Sequence, residues 1–184
     1  MSTLRHIHVR TRLTRGFTIF LAVLVSSLAL AVGLAIYDLT VRELDLTIAS
    51  RESHYAIYAA DTGVECALYW DSKFEDANGT AFATSTRDIG VATGSSNVLC
   101  NGQNIVSGEA PLNVAWTITT TNAAATTTFQ FSLGGVAGTV SNPCATVIVS
   151  KYGTPQQTTI TSNGFNNCII NSPSRLQRTM QVNY

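Results

Sequence analysis

The chain has 184 residues, and its 11 basic side chains balance its 11 acidic ones, so the formal net charge is zero. Only 12% of the residues are charged, against roughly 25% in an ordinary soluble domain, while 45% are apolar. This composition excludes a disordered chain and a collagen-like repeat. The charge balance disfavours a nucleic-acid-binding protein.

The charges are unevenly distributed along the chain. Residues 1–16 carry four arginines and no acid, and residues 17–37 carry no charge at all. Residues 38–76 hold nine acids and three bases, whereas the last 108 residues hold only six charges. We therefore divide the chain into a basic leader (1–16), an apolar segment (17–37), a helical continuation (38–72) and a sparsely charged domain (73–184).

The apolar segment reads FTIFLAVLVSSLALAVGLAIY. At about 1.5 Å per residue, this length is sufficient to cross a bilayer core as a helix. The arginines before it predict that its N-terminal end stays in the cytoplasm. Two alternatives stay open: a buried core helix, and a secretory signal removed after Ala29-Leu30-Ala31, a small-x-small pattern. The apolar run continues past Ala31 to Tyr37, which argues against removal.

The residues from Asp38 to Trp70 predict that the same helix continues beyond the membrane. They include no proline and a single glycine, Gly63. Apolar or small residues recur at the mixed three-and-four spacing of one helix face, at Val41, Leu44, Ile48, Tyr55, Ala59, Cys66 and Trp70. A periodic stretch this long is typical of helices that assemble with other helices.

The junction Thr14-Arg15-Gly16-Phe17-Thr18-Ile19 joins the basic leader to the apolar segment. It resembles the class III signal of type IV pilin-like proteins. In that family a membrane prepilin peptidase cuts after the glycine, and the new N-terminal residue is methylated. The resemblance implies cleavage between Gly16 and Phe17 and N-methylation of Phe17. The membrane helix would then stay on the mature chain.

A second resemblance lies in residues 51–65, RESHYAIYAADTGVE. The stretch is similar to the late-helix pattern of PilX-type minor pilins, Ala-Ala-acid-x-Gly-hydrophobic-acid. Its small residues would let another backbone or a sheet approach the helix closely; they are Ala56, Ala59, Ala60 and Gly63. We therefore interpret these four positions as a helix-packing surface.

The sequence departs from the major pilins at Leu21. Most major pilins carry a glutamate as the fifth residue of the mature chain, and it pairs with the N-terminal amine of a neighbouring subunit. Leu21 stands at that position, and no acid occurs before Asp38. A carboxylate in lipid is costly unless it is paired. The departure therefore favours a minor or initiating subunit over a major pilin.

The remainder of the chain predicts an antiparallel β-sheet. Apolar and polar residues alternate in five stretches, and turn residues separate them. These stretches are 114–119, 127–133, 144–151, 157–162 and 179–184. The first two form one predicted hairpin and the next two another. We expect an α+β fold in which the long helix packs on this sheet, with Trp70, Trp116, Phe129 and Phe131 in the core.

Four cysteines lie in the parts expected outside the membrane, where thiols oxidise: Cys66, Cys100, Cys144 and Cys168. They form no Cys-x-x-Cys motif, which disfavours a zinc or redox site. Three connectivities are open. We favour Cys66–Cys100 and Cys144–Cys168, because short loops close at lower entropic cost. The alternative is four buried thiols.

Catalytic side chains are scarce in the predicted extracytoplasmic domain. The last 108 residues contain no histidine and only two carboxylates, Asp88 and Glu109. Acid–base catalysis, a serine triad or a histidine metal site therefore has almost no residues to use. We expect neither an enzyme nor a bound cofactor or metal. The acids Asp61 and Glu65 share a helix face, where we expect them solvated or in contact with Arg175 or Arg178.

These observations favour a minor type IV pilin-like subunit that is assembled into a surface filament or primes it. A filament-displayed adhesin that binds surface glycans and a secretion-system pseudopilin are the alternatives. The expected partners are the membrane, the prepilin peptidase and other pilin subunits through the N-terminal helix. DNA is disfavoured because the domain lacks a basic patch. The precursor would reside in the inner or cytoplasmic membrane, with its C-terminal domain extracytoplasmic, before it joins the filament.

Overall fold

A computed structural model describes residues 15–73, 80–84, 97–109, 112–134 and 142–184. The basic leader up to residue 14 and the carboxylate Asp88 lie outside the described residues. The described part contains one long helix, α1 (Arg15–Ser72), and seven strands. The strands are β1 (Leu99–Cys100), β2 (Gln103–Asn104), β3 (Thr117–Thr120), β4 (Ala124–Ser132), β5 (Cys144–Tyr152), β6 (Gln157–Phe165) and β7 (Gln177–Asn183).

Strands β3 to β7 form one sheet in chain order, and every neighbouring pair is antiparallel. The predicted α+β fold is confirmed. Both predicted hairpins are present, β3–β4 and β5–β6, and β7 adds the last strand beside β6. The connections within the two hairpins are short, residues 121–123 and 153–156, as antiparallel neighbours allow, whereas longer segments join β4 to β5 and β6 to β7.

A small hairpin that the alternation did not predict lies before the sheet. Strands β1 and β2 pair through a two-residue turn, Asn101-Gly102. Both turn residues have positive φ, 49° and 74°. That backbone matches the two-residue turns in which Asn-Gly is preferred. Asn-Gly is in general a sequence signal of a turn, but the two strands here have two residues each, which is too few for an alternation to be visible.

The chain divides into two compact units, residues 1–47 and 48–184. In the first unit, the described residues belong to α1, and from Phe17 onwards every side chain is exposed. The second unit contains the rest of α1 and all seven strands. Its core lies between the helix and one face of the sheet, where alternate residues of β4, β5 and β6 are buried.

The core of the second unit is centred on aromatic and β-branched side chains. Phe129 and Phe131 are fully buried, as expected, and the ring of Phe82 stacks on Phe129 with centroids 5.7 Å apart. Trp70 and Trp116 are only partly buried and pack against the margin of this core. The indole nitrogen of Trp70 donates to the carbonyl of Leu99 at 2.9 Å. A large side chain with a polar group is well suited to such a margin.

Candidate functional site

The first candidate feature is the exposed apolar surface of α1 between Phe17 and Tyr37. The helix is long and apolar enough to cross a membrane by length and composition. None of the side chains in this segment is buried, which argues against the alternative of a core helix. The long apolar helix is compatible with membrane anchoring.

The hydroxyl groups in and beside this segment are satisfied by the helix itself. Ser26 donates to the carbonyl of Ala22 at 2.7 Å, and Ser27 donates to that of Leu24 at 2.8 Å. Thr40 donates to the carbonyl of Ile36 in the same way. A polar group without a partner would be costly in lipid. These serines and Thr40 therefore present no unpaired donor to a bilayer.

The predicted processing junction lies at the start of the described chain. Gly16 and Phe17 belong to the first turn of α1. Leu21 is half exposed on the same helix, and the nearest described acid is Asp38, which pairs with Arg42 at 3.2 Å. The Asp38–Arg42 pair is exposed and contributes little to stability. Asp38 and Arg42 are the first two charged residues that follow the apolar segment along the chain.

The small residues predicted to form a helix-packing surface are buried inside the second unit. Ala56, Ala59, Ala60 and Gly63 are all buried. A Cβ atom on Gly63 would lie 2.8 Å from Cγ2 of Val147 on β5. On the sheet side, a Cβ on Gly164 would lie 2.9 Å from the Cα of Ala60, and closer still to other backbone atoms of α1. This surface therefore meets the chain's own sheet.

Another face of the second unit's helix is exposed and carries acids. His54, Tyr58, Asp61, Glu65 and Tyr69 are exposed and follow each other at three- and four-residue spacing. Within the described residues, Asp61 and Glu65 make no ion pair; they are the solvated acids that the sequence allowed. The arginines contact other groups. Arg178 donates to Ser53 at 3.0 Å, and Arg175 lies over the ring of Phe165.

Two disulfides link the second unit, and both pairings are those that the sequence favoured. Cys66–Cys100 ties α1 to the β1–β2 hairpin, with Cα atoms 5.8 Å apart. Cys144–Cys168 ties the start of β5 to the segment that follows β6, with Cα atoms 5.6 Å apart. Each bridge therefore joins a long helix or strand to a segment outside the five-stranded sheet.

A buried ionic cluster joins the end of α1 to the sheet, and sequence reasoning missed it. The side chains of Asp71 and Lys151 are each 5% exposed, and their charged groups lie 2.5 Å apart. Thr80 also donates to the Asp71 carboxylate, and the Tyr184 hydroxyl donates to its other oxygen at 2.6 Å. One carboxylate thus connects the helix, the following segment, β5 and the C-terminal residue. Burial and the Asp71 carboxylate raise the pKa of the Tyr184 phenol.

A sequence signal for this cluster did exist. Lys151 follows Ala145, Val147 and Val149 at two-residue spacing, which places it on the inner face of β5. A lysine on a buried face requires a partner. The position of that partner could not be read from the pattern, because Asp71 lies 80 residues earlier at the end of a helix.

The outward face of the sheet is uncharged. On β4, β5, β6 and β7 it presents mainly hydroxyl and amide side chains, with Ile148 near the middle and Ala124, Cys144 and Phe165 at the strand ends. The strands' two charged residues are both on the helix side: Lys151 is buried there, and Arg178 contacts Ser53 of α1. In the residues that the structure describes, no group of three or more His, Cys, Asp or Glu side chains could hold a metal ion.

Comparisons with protein-family models, curated proteins and solved structures found no match.

Proposed function

We propose that the chain is a minor type IV pilin-like subunit. A prepilin peptidase cuts it between Gly16 and Phe17, Phe17 is N-methylated, and the mature chain is assembled into a surface filament or primes its assembly. The precursor is held in the cytoplasmic membrane by residues 17–37. The sheet-containing unit then lies outside the membrane.

One observation carries this proposal: a fully exposed apolar helix segment begins directly after a basic leader that ends in glycine. An ordinary secretory signal is removed together with its apolar segment, whereas a cut at Gly16 preserves that segment on the mature chain. In a membrane the segment anchors the precursor, and among other subunits its exposed side chains pack against theirs. The disulfides suit an oxidising compartment.

Leu21 supports a minor or initiating role. With leucine at the fifth mature position, the chain lacks the carboxylate that would pair with a neighbour's N-terminal amine. A subunit without this docking contact suits the start of a filament, where fewer neighbours have to be engaged. A secretion-system pseudopilin shares these features, and the filament that the chain enters distinguishes the two roles.

Mass spectrometry of the mature N-terminus tests the proposal. The chain is purified from membranes of cells with and without the prepilin peptidase. We expect an N-terminus at Phe17 carrying one additional methyl group in the first case, and the intact leader in the second. An N-terminus at Val32 would instead establish a removed secretory signal, and any other start would contradict the assignment.

A glycine substitution makes the test specific to the junction. Gly16→Ala adds a Cβ where the protease must approach the backbone closely, so we expect uncut precursor to accumulate. Gly33→Ala is the matched control, because it lies in the same helix and has open space around it. Normal processing of Gly16→Ala would contradict the proposed cut.

The uncharged outward face of the sheet favours a second candidate role, a filament-displayed subunit that binds surface glycans. Deletion of the gene distinguishes the two roles. A priming subunit is required for filaments to form, whereas a purely adhesive subunit leaves filament number unchanged and reduces attachment. Counting filaments by electron microscopy, together with an attachment assay, decides between them.

A further inference from the structure

A pocket of about 410 Å³ opens at one end of the outward face of the sheet. Its floor includes Gln130 on β4 and Thr146 on β5, which are directly paired across the two strands. Leu112 and Val114 line it from the segment before β3, and Ile170 and Arg175 line it from the segment between β6 and β7. The Cys144–Cys168 disulfide also borders the pocket and anchors the second of these segments.

Among the described residues that line this pocket, Arg175 carries the only charged side chain. Its guanidinium carbon lies 3.8 Å from the centroid of the Phe165 ring, so the aromatic face holds the group in one orientation. The Nε atom is buried without a hydrogen-bond partner. No salt bridge to Arg175 occurs among the described residues. A cation held in this way, without a countercharge among the described residues, is suited to an anion. Because Nε is buried, a carboxylate would be bound through the two terminal nitrogens of the planar guanidinium, by two parallel hydrogen bonds.

The other side chains that line the pocket indicate which groups its ligand carries besides a negative charge. The Gln130 amide and the Thr146 hydroxyl both donate and accept, as hydroxyl groups of a ligand require. Leu112, Val114 and Ile170 provide aliphatic surface for the C–H groups of a compact ring. The volume falls within the range of small-molecule pockets, roughly 300 to 1,000 Å³.

We propose that this pocket binds an acidic sugar, with the sugar carboxylate on Arg175 and its ring hydroxyls on Gln130 and Thr146. Neutral side chains on the adjoining sheet face would accept further sugars of a glycan chain. The site goes beyond the filament role, and the test below requires neither cleavage at Gly16 nor filament assembly. Failure of one proposal therefore leaves the other standing.

The first test varies the ligand and leaves the protein intact. The full chain is purified in detergent micelles, and binding is measured by saturation-transfer NMR and isothermal titration. The probes are galacturonate and N-acetylneuraminate, each with its own methyl ester as the neutral control, and galactose is a further neutral sugar. We expect at least one acidic sugar to bind about ten-fold or more tightly than its neutral controls, as the loss of a charged hydrogen-bond pair implies.

The second test varies the protein. Arg175→Gln is expected to abolish the preference for the acidic sugar, whereas Arg175→Lys retains a weaker preference because it keeps the charge without the planar fork. Arg178→Gln is the matched control, since Arg178 contacts Ser53 on the helix side and does not line the pocket. It should bind as the unsubstituted chain does. If Arg175→Gln does not fold, the comparison of each acidic sugar with its own methyl ester still decides.

Three outcomes would overturn the proposal. The first is that neither acidic sugar binds the unsubstituted chain. The second is that the acidic sugar that binds and its own methyl ester bind equally, which would show that the carboxylate is not recognised. The third is that N-acetyl-leucine, a peptide-like carboxylate, binds more tightly than both acidic sugars, which would identify a peptide-terminus site.

Discussion

At Gly164 the sheet meets the backbone of α1 without a side chain between them. Gly164→Ala introduces a Cβ that would overlap Ala56 and Ala60 backbone atoms, and backbone moves less readily than a flexible side chain. We expect a loss of about 2 kcal/mol in the free energy of unfolding, typical of overpacking. Chemical denaturation followed by near-UV circular dichroism measures it.

Gly33→Ala is the control for this prediction, because a Cβ at Gly33 meets nothing within 4 Å. It should leave unfolding of the second unit unchanged. Alanine is also favoured over glycine in a strand on backbone entropy alone. A Gly164→Ala variant as stable as the unsubstituted chain would therefore show that helix and sheet are less closely packed than described.

Lys151 and Asp71 form a buried ion pair, so removal of either charge leaves the other without its countercharge. Lys151→Met leaves the Asp71 carboxylate buried without its countercharge, and we expect a loss of about 3 to 5 kcal/mol. Adding Asp71→Asn removes that uncompensated charge, so the double variant should lose less than the sum of the two single losses. Denaturation of all three variants measures this coupling. Lys73→Met, at an exposed lysine, should change stability by less than about 0.5 kcal/mol.

Additive losses for Lys151→Met and Asp71→Asn would contradict the buried pair. So would a Lys151→Met variant as stable as the Lys73→Met control.

The raised pKa of the Tyr184 phenol predicts that the folded protein loses stability in alkaline solution. Burial and the Asp71 carboxylate raise the pKa of the folded phenol above its ordinary value near 10. The unfolded phenol then loses its proton at lower pH than the folded one. The stabilisation is complete below about pH 10 and is lost as the pH rises through the folded pKa.

Tyr184→Phe removes this contribution, so its stability should fall less steeply than that of the unsubstituted chain between about pH 9 and pH 11. Denaturation at a series of pH values compares the slopes. Tyr58→Phe, at an exposed tyrosine on the helix, controls for general alkaline effects and should keep the original slope. Identical slopes for Tyr184→Phe and the unsubstituted chain would contradict the prediction.

At the scale of elements, each disulfide joins a long helix or strand to a segment outside the five-stranded sheet. They span sequence separations of 34 and 24 residues. On the loop-entropy model, each stabilises the fold by about 3 to 4 kcal/mol. Replacing Cys66 and Cys100 together by alanine should therefore lower the melting temperature of the second unit by roughly 10 °C. Differential scanning calorimetry measures the change.

Peptide mapping without reduction is the accompanying check on connectivity. It should recover the peptide pairs Cys66–Cys100 and Cys144–Cys168. Thiols that react with an alkylating reagent in the native protein, or a peptide linking Cys66 to Cys144, would contradict the connectivity.

The individual helices and strands also show what local sequence patterns can predict. The nine-residue strands β4, β5 and β6 alternate between buried and outward positions, and their alternation was visible in the sequence. The helix α1 was visible because proline is absent and small or apolar residues recur at helical spacing. The β1–β2 hairpin was not, because two residues per strand are too few for an alternation to be recognised.

At the scale of the whole molecule, the second unit has a core of its own. Every buried side chain of the described residues lies beyond residue 48. We therefore expect a fragment of residues 48–184, produced in an oxidising compartment, to be soluble without detergent and to unfold cooperatively. Gel filtration and thermal unfolding test this expectation.

A shorter fragment provides the control. Starting at residue 62 removes Ala56, Ala59 and Ala60, so the sheet around Gly164 loses the helix that covers it. This fragment should aggregate or unfold without cooperativity. If residues 48–184 also require detergent, the expectation that the second unit has a self-sufficient core is wrong.

Local sequence patterns were sufficient to predict the apolar helix, its continuation past Tyr37 and the strands of an antiparallel sheet. Each of these depends on residues close together along the chain, so periodicity is sufficient to predict it. Tertiary structure alone decided that the small residues of α1 meet Gly164, that Lys151 pairs with Asp71, and that Arg175 lies over Phe165. These contacts depend on sheet register and on where the helix lies against it. A register shift of one residue would move Lys151 to the outward face, and no local pattern specifies that choice.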